Sequence, residues 1–254
     1  MLSKDFWNDR AIRHGHTGHS EPFLYTFDQE ARKFAVERIV SHLFTENKDK
    51  ALDFGCGSGD FVRILKERFS FVVGYDFAEK VVEIARRDSD PRVKFTSEIK
   101  DLRENSVYDL ILSVTVLQDL EEGELSSAVK ELSLVLASNG YIIAVEFFVT
   151  EEWKSLNKEN RVTNAKWMEI LERNGITVVS KHSFYNPIEA PSASWNEYNR
   201  NFFLRFVRLF RYTAFARKIF LRKAREIIQK HRDVLGVENN TYYIYVLQKA
   251  ANAD

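Results

Sequence analysis

The pattern of apolar and polar positions changes repeatedly between two periods after residue 28. Apolar side chains recur every three or four residues over 28–43, which predicts a helix, whereas residues 1–27 show no clear period. Short apolar runs that predict buried strands lie at 50–54, 71–76, 92–95, 108–117, 140–148, 176–184 and 241–249. Helical periods separate most of the first six of these runs, and the helix at 163–175 has Thr163 as its N-cap and Gly175 as its stop.

This alternation predicts an α/β fold, a doubly wound, seven-stranded, mostly parallel sheet. The last two strands break the alternation, because a long segment with a mostly helical pattern lies between them. We therefore expect an N-terminal lid segment over 1–45, a core formed by 46–186 with 240–254, and a helical insertion over 187–239.

Composition and charge narrow the class of protein. The 254 residues contain 37 basic and 37 acidic side chains, a zero balance that argues against a chain that is basic all over, as nucleic-acid binders often are. The lone cysteine, Cys56, excludes an internal disulfide and suits a reducing compartment. No signal-type segment and no apolar run of about 18 residues is present, so we expect a cytoplasmic protein.

The stretch "ALDFGCGSGD" (51–60) contains the end of the first predicted strand and the glycines after it, and it carries the main chemical signal. A dinucleotide loop, G-x-G-x-x-G, would place glycine where Asp60 stands, and a carboxylate there would repel a pyrophosphate. Asp53, two residues before Gly55, suits instead a cationic group such as the ammonium of an amino acid. Asp76 lies 21 residues after Gly55, the usual distance for a carboxylate that binds ribose hydroxyls. A glycine turn without a ligand and a nicotinamide enzyme are the alternatives.

From about residue 28 to about 184 the chain resembles the class I S-adenosylmethionine-dependent methyltransferases, which have a Rossmann-like fold. "LDFGCGSGDF" and "VVGYDFAEKVVEIAR" look like the first two motifs of that family. "VYDLILSVTVLQDL" looks like the fourth, and "LSLVLASNGYIIAVEFF" is similar to the helix and strand that follow it. The resemblance implies a transferase whose cofactor is S-adenosyl-L-methionine.

The resemblance also implies roles for individual residues. Asp53 with Gly55, Gly57 and Gly59 would hold the methionine part of the cofactor, and Asp76 would hold its ribose. Phe77 and Ile99 would line the adenine, and Glu98, or less well Asp101, would face its amino group. Ser113 and Gln118 would lie by the methionine and the sulfonium. Asp119 stands where the family commonly has histidine, which weakens any role carried over to it.

Methyl transfer needs few catalytic groups, because the cofactor is already activated and the protein mainly supplies position. A base is needed only for a poorly acidic acceptor. The candidates are His16, in the histidine-rich stretch 13–19, and Asp119. The alternatives are a solvated polar loop for the histidines and a helix N-cap for Asp119. We predict no metal site, because no carboxylate or cysteine near the histidines completes a ligand set.

The insertion 187–239 contains 11 basic and 5 acidic residues. Helical spacing predicts a basic stripe at Arg208, Arg211, Lys218, Arg222 and Arg225, and an apolar stripe at Phe203, Val207, Phe210 and Ala214. The candidates for acceptor contacts are Tyr25, Tyr185, Trp195, Tyr198 and Arg200. The basic stripe admits four interpretations: a solvated face, contact with an acidic acceptor, contact with a membrane surface, and nucleic-acid binding, which the zero net charge disfavours.

We therefore expect a methyltransferase that acts on oxygen, or less favourably nitrogen, of a polar small molecule. Its acceptor would carry phosphate, carboxylate or sugar, as in small-molecule or carbohydrate biosynthesis. The alternatives are a methyltransferase of protein or RNA, one acting on a lipid-linked glycan in transient contact with a membrane surface, and a non-catalytic binding module. The oligomeric state is not predicted.

Overall fold

The computed structural model describes residues 3–46, 48–87, 90–104, 107–157, 161–187, 190–235 and 242–250. Its strands are β1 Lys48–Phe54, β2 Phe69–Tyr75, β3 Val93–Thr96, β4 Tyr108–Val114, β5 Leu136–Phe147, β6 Ile176–Ser183 and β7 Tyr242–Lys249. Its α-helices are α1 Lys4–His14, α2 Pro22–Leu43, α3 Val62–Leu65, α4 Glu79–Ala85, α5 Asp101–Glu104, α6 Glu122–Val135, α7 Glu151–Asn157, α8 Asn164–Arg173, α9 Ala193–Arg200, α10 Phe202–Val207 and α11 Ala214–His231. Short 3₁₀ helices lie at Leu117–Asp119 and Arg208–Phe210.

Over these residues the strands form one seven-stranded sheet in the order β3-β2-β1-β4-β5-β7-β6. The first five strands pair in parallel. β6 and β7 are antiparallel, since Phe184 N–H donates to Tyr242 O (3.0 Å) and Ala250 N–H donates to Gly175 O (2.7 Å). The predicted α/β fold class is confirmed, including the break in the alternation at the last two strands. The strand order reverses beside β1, which brings the loops after β1 and β4 together at the point where such sheets bind ligands.

The central strands are covered on both faces, which explains their continuous apolar runs. Leu52, Ile111 and Ile142 lie in one buried cluster with the inner face of α6 and with Trp167 of α8. Burying a side chain of this size contributes about 2 kcal/mol. The predicted capping of α8 is confirmed, because Thr163 accepts a hydrogen bond from Lys166 N–H and Gly175 has φ +67°. No helix among the described residues is both long and apolar enough to cross a bilayer.

The chain divides into two compact units. The first, here called the sheet unit, contains 1–17, 46–181 and 243–254, and the second, the helical unit, contains 18–45 and 182–242. The segment 1–45, expected as a single lid, is therefore divided between them. The expected boundary between 239 and 240 lies outside the described residues.

The first 27 residues, which show no clear period, contain α1 and the start of α2. α1 begins after Ser3, whose side chain accepts from Phe6 N–H, and ends at Gly15 in the left-handed conformation. It contacts α4 through a small cluster in which Ala11 meets Ala78 and Val81. One buried alanine is too small to give α1 a detectable apolar period.

Aromatic rings form the interior of the helical unit. The ring centroids of Phe23 and Tyr198 lie 4.3 Å apart, and those of Phe27 and Trp195 lie 5.1 Å apart. α2 also contributes the buried Asp28, which lies 2.6 Å from a guanidinium nitrogen of Arg32. The two residues lie one helical turn apart on α2. Each side chain neutralises the charge of the other inside an apolar unit.

We expect Asp28→Asn to lower the free energy of unfolding by about 2–4 kcal/mol, because the buried guanidinium of Arg32 would lose its countercharge. Denaturant unfolding measures this change. Asp9→Asn is the matched control, since Asp9 pairs with Arg13 only at 3.9 Å on the surface, and its stability should equal that of the wild type. Equal losses in both variants would contradict the assigned role of the buried pair.

Candidate active site

The glycine loop after β1 turns sharply at the end of the strand. The N–H groups of Gly55 and Cys56 both donate to Tyr75 O, at 2.7 and 2.8 Å, which fixes the loop to the end of β2. Gly55 has φ +79°, and a Cβ there would lie 2.2 Å from a methyl group of Val116 in the loop after β4. The glycine therefore allows both the backbone conformation and the close approach of the two loops.

Asp76, at the end of β2, holds the same loop from the other side. Its carboxylate accepts hydrogen bonds from Gly57 N–H at 3.1 Å and from Ala78 N–H at 3.0 Å. Burial raises the pKa of Asp76 to about 6, although these two hydrogen bonds oppose the rise. Its carboxylate thus lies at the carboxyl end of β2, beside the glycines, as expected.

Asp53 is buried beside the glycine loop with too few hydrogen-bond donors for its carboxylate. Its side chain is buried, Val62 N–H donates to it, and its Oδ2 has no hydrogen-bond partner among the described residues. Burial above all, and then the charges of Asp76 and Asp60, raise the pKa of Asp53 to about 8. A buried carboxylate with an unsatisfied oxygen is costly, and a cation or a strong donor at this position would relieve that cost.

Asp60, at the position of the missing third glycine, is engaged inside the loop. One carboxylate oxygen accepts from Ser58 Oγ and the other lies 3.2 Å from Arg63. Its negative charge helps to raise the pKa of Asp53, and it gives no hydrogen bond to the unsatisfied Oδ2 of that residue.

The turn after β3 separates the two acids considered there. Asp101 accepts from Thr96 Oγ1 at 2.7 Å and lies 3.6 Å from Lys94, so its carboxylate has local partners. Glu98 is exposed, and its N–H donates to the same Thr96 hydroxyl at 3.0 Å. Ile99 beside it is also exposed, with 40% of its surface accessible. Burial above all, and then the charges of Asp76 and Glu98, raise the pKa of Tyr75, which pairs with Thr96 at the end of β3, to about 12.

Glu146 of β5 is a buried acid of this edge that the sequence analysis missed. Its carboxylate accepts from Ser113 Oγ at 2.8 Å and from three backbone N–H groups. These are the N–H groups of Val116, Leu117 and Gln118. Burial raises the pKa of Glu146 to about 7 against the effect of these donors. A carboxylate inside the apolar run "IIAVEFF" was the signal that could have revealed it.

The side chains of Ser113 and Gln118 both form hydrogen bonds to residues of β5. The hydroxyl of Ser113 donates to Glu146, and the side-chain oxygen of Gln118 accepts from Phe147 N–H at 2.8 Å. Both residues thus hold the loop after β4 in place, and their expected contacts with a cofactor stay predictions.

The segment after α1 reaches the glycine loop. Thr17 O accepts from Arg10 Nε at 2.7 Å, and Thr17 Oγ1 lies 3.0 Å from the position that a Cβ of Gly57 would take. The rings of His14 and His16 stack with centroids 5.9 Å apart. Phe77, expected beside the adenine, is half-buried against the cluster of α1 and α4.

Asp119 lies in the 3₁₀ helix after β4 and does not cap α6. The N-cap is Glu121, which forms a capping box with Glu124, so the capping alternative for Asp119 is wrong. Burial raises the pKa of Asp119, while the positive charge of Arg161 and a hydrogen bond from Gln118 lower it. No three His, Cys, Asp or Glu side chains within the described residues are grouped to hold a metal ion.

The residues expected as acceptor contacts lie in the helical unit. Tyr185, Trp195 and Tyr198 are buried there and their polar atoms have partners. The partners are Asp28 for Tyr185, Pro187 O for Trp195 and Phe23 O for Tyr198. Tyr25 is half-buried against Gly18, and Arg200 is exposed in the last turn of α9.

The expected basic and apolar stripes are wrong as continuous helical faces, because the helix breaks before Thr213, the N-cap of α11. Arg208 stacks on Phe23 at 3.7 Å, and Arg225 lies 2.7 Å from Glu30. Arg211 lies 3.7 Å from Glu21. In the expected apolar stripe, Val207 is buried whereas Phe203, Phe210 and Ala214 are exposed.

Residues 52–144 match the family model described as "Methyltransferase domain". These residues thus form a methyltransferase domain. This domain contains the glycine loop, Asp76 and the loop after β4 described above.

Two curated relatives match part of the chain. The ubiquinone biosynthesis O-methyltransferase of Rickettsia canadensis is 24% identical over 124 residues, which cover 47% of this chain and 49% of that protein. Thiocyanate methyltransferase 1 of Brassica oleracea is 29% identical over 122 residues, which cover 44% of this chain and 54% of that protein. The chain thus spans about half the length of the curated relatives it matches.

Solved structures share the fold of this methyltransferase domain. Magnesium protoporphyrin IX methyltransferase of Synechocystis PCC 6803, with bound S-adenosylhomocysteine, gives a TM-score of 0.57 at 18% identity and covers 72% of this chain and 91% of its own. A chain of the complex between the Haloferax volcanii Trm112 methyltransferase activator and a methyltransferase also gives 0.57, at 15% identity, with 98% and 96% covered.

The geometry of the methyltransferase domain fits the cofactor of its family. The unsatisfied oxygen of Asp53 suits an ammonium, and Asp53 lies in β1 directly before the glycine loop. Asp76 directly follows Tyr75 at the end of β2, and the exposed Glu98 lies two residues after Thr96, which pairs with Tyr75 at the end of β3. Ribose and adenine groups would lie at this edge of the sheet.

In the absence of cofactor, we expect Asp53→Asn to raise the free energy of unfolding at pH 8 by about 1 kcal/mol or more. Folding raises the pKa of Asp53 from its ordinary value of 3.8 to about 8. The folded state therefore holds a proton that the unfolded state has lost, and stability falls as the pH rises between these values. Asparagine does not ionise, so this pH dependence should shrink in the variant.

Denaturant unfolding at pH 5 and pH 8 measures the difference. Asp60→Asn is the matched control, because Asp60 belongs to the same loop but has Ser58 and Arg63 as partners. A gain at pH 8 as large for Asp60→Asn as for Asp53→Asn would contradict the special burial of Asp53.

Proposed function

We propose that this protein transfers a methyl group from S-adenosyl-L-methionine to an oxygen atom of a polar small molecule. The observation that carries the proposal is the buried carboxylate of Asp53, whose Oδ2 lacks a donor beside the glycine loop. The ammonium of an amino-acid-bearing cofactor supplies this group with a donor and a countercharge, whereas a phosphate supplies neither. The match of residues 52–144 to the methyltransferase domain supports the same conclusion.

The residues of the sheet unit would divide the work of holding the cofactor. Asp53 would pair with the ammonium, Asp76 would accept from the ribose hydroxyls, and Glu98 would accept from the adenine amino group. The bound cofactor supplies an already activated methyl group on its sulfonium. The protein therefore contributes mainly orientation and a site from which water is excluded.

The buried network of Glu146 would act by positioning. It fixes Ser113 and the start of the 3₁₀ helix, so that the loop after β4 has one conformation beside Gly55. A fixed wall at this point would orient the methyl group toward the acceptor. Glu146 has four donors of its own, so we assign it no direct contact with the cofactor.

Asp119 is the proposed base for the acceptor hydroxyl. A carboxylate whose pKa is raised by burial is a stronger base than an exposed one, and Asp119 lies just after the loop that Glu146 holds. His16, in the segment that reaches Gly57 through Thr17, is the second candidate.

The acceptor is proposed to be small and anionic or sugar-like. Arg222 of the helical unit is exposed and has no ion-pair partner within the described residues, so a cationic group remains for an acidic ligand. Transfer to oxygen is favoured over nitrogen by the partial match to an O-methyltransferase. A cytoplasmic location is proposed, since the single cysteine suits a reducing compartment.

We expect Asp76→Ala to weaken the binding of S-adenosylhomocysteine at least tenfold, because the ribose hydroxyls would lose their acceptor and the glycine loop would lose a hydrogen bond. Isothermal titration calorimetry measures this affinity. Glu79→Ala is the matched control, since Glu79 is an exposed acid three residues further along that pairs with Lys4. Absence of any binding heat with the wild type would overturn the proposed activity.

We expect Asp119→Asn to lower kcat at least tenfold while leaving the affinity for S-adenosylhomocysteine unchanged. The acceptor is first found by screening polar hydroxyl compounds for methyl transfer from labelled cofactor. Wild-type kcat/KM should fall at acid pH with an apparent pKa above the ordinary 3.8 of an aspartate, and this limb should vanish in the variant. Glu122→Gln, an exposed acid three residues away, is the control. Unchanged kcat in Asp119→Asn would move the assignment to His16.

A further inference from the structure

The helical unit exposes an unusual set of large apolar side chains over fourteen consecutive residues. Each of seven side chains between residues 202 and 215 has more than half of its surface accessible. These are Phe202 (86%), Phe203 (52%), Phe206 (60%), Leu209 (73%), Phe210 (53%), Tyr212 (67%) and Phe215 (72%). We call this set the aromatic patch. Exposed apolar residues are ordinary singly, but a contiguous group marks an interaction surface.

The patch is not a by-product of packing within the unit. α10 already buries Leu204 and Val207 on its inner side, so the outward phenylalanines form a second apolar face. The rings of Phe206 and Phe210 contact each other, with centroids 5.9 Å apart, across the junction of α10 and the following 3₁₀ helix. A helix that is apolar on both sides is typical of a segment whose outer side is covered by lipid or by another protein.

The charge around the patch has one sign. No acidic residue occurs between Glu197 and Glu226, whereas nine arginines and lysines do. Arg208, Arg211 and Arg225 have partners within the helical unit. Arg205 within the patch, and Arg217 and Lys218 just after it, have no ion-pair partner among the described residues and are exposed.

We propose that the aromatic patch docks on the surface of a bilayer that contains anionic lipids. Phenylalanine and leucine side chains on a short helix insert at the boundary between head groups and acyl chains. Exposed arginine and lysine side chains beside them are attracted to anionic head groups, by about 1 kcal/mol each near the surface. The patch supplies both contributions on the same segment, and no spanning helix is needed.

The charge pattern disfavours a second copy of this chain as the occupant. A symmetric dimer through the patch would bring the same basic residues of both copies together, which costs free energy. Nucleic acid would satisfy the charges but would leave most of the phenylalanine surface without an apolar environment. An anionic bilayer satisfies both features.

The test is sedimentation of the full chain with vesicles of phosphatidylcholine alone or of phosphatidylcholine mixed with anionic phosphatidylglycerol. We expect binding to the anionic vesicles to exceed binding to the neutral ones at least tenfold. The variant Phe206→Ser/Leu209→Ser/Phe215→Ser should lose at least tenfold of this binding. The matched control Ile12→Ser/Leu134→Ser/Val179→Ser removes three comparably exposed apolar side chains outside the patch and should bind as the wild type does.

A second readout distinguishes insertion from simple electrostatic attraction. An environment-sensitive dye on Leu209→Cys should shift to the blue with anionic vesicles, since the natural Cys56 is buried and stays unlabelled. Arg205→Gln/Arg217→Gln/Lys218→Gln should abolish the preference for anionic vesicles.

Three outcomes would overturn the proposal. They are equal binding to both kinds of vesicle, undiminished binding of the serine variant, and binding to RNA or self-association through the patch without vesicle binding. Circular dichroism would verify that each variant is folded. Because no methyl transfer is measured, failure here would leave the proposed activity untouched.

Discussion

The structure depends on how it buries three carboxylates at the carboxyl ends of its strands. Glu146 receives four donors, Asp76 receives two, and Asp53 receives one. Burial raises the pKa of all three, and that of Asp53, with the fewest donors, rises furthest, to about 8. The first two acids are satisfied by the fold itself, whereas the third keeps an unsatisfied oxygen. Such a deficit at one of three neighbouring sites is the physical reason for placing a cationic ligand there.

The satisfied acids shape the site as much as the unsatisfied one does. By gathering three successive backbone N–H groups, Glu146 bends the chain after β4, where Thr115 takes a φ of +55° that is uncommon for a β-branched residue. The bend carries Val116 against Gly55, which leaves no room for a side chain at that glycine. Asp76 meanwhile ties Gly57 to the start of α4. The loops after β1, β2 and β4 are thus fixed by carboxylates before any ligand arrives.

The strands and the glycine loop could be predicted from the sequence because each has a local signature: a continuous apolar run, or glycines spaced with acids. The role of Glu146 could not be predicted, because its hydrogen-bond donors belong to a loop about 30 residues earlier in the chain. A local pattern of apolar and polar residues contains no information about such a contact. The basic stripe failed for a related reason. Thr213 begins a new helix and so resets the helical phase, and each arginine pairs with whichever acid the fold brings near, such as Glu21 or Glu30. The segment is basic and helical as predicted, but the direction of each arginine side chain depends on tertiary contacts.

The helical unit reverses the usual placement of aromatic residues, and the reversal carries information. Tyrosine and tryptophan have a polar atom and commonly lie at surfaces, yet Tyr185, Trp195 and Tyr198 are buried with those atoms hydrogen-bonded. Phenylalanine has no polar atom, yet Phe202 and Phe206 lie outside with most of their surface accessible. The interior must therefore supply hydrogen-bond partners to buried polar atoms, while the exterior exposes apolar rings to water, and both arrangements cost free energy. Both costs are explained if the outer surface of α10 evolved to face a medium other than water, so that the most apolar rings belong on the outside.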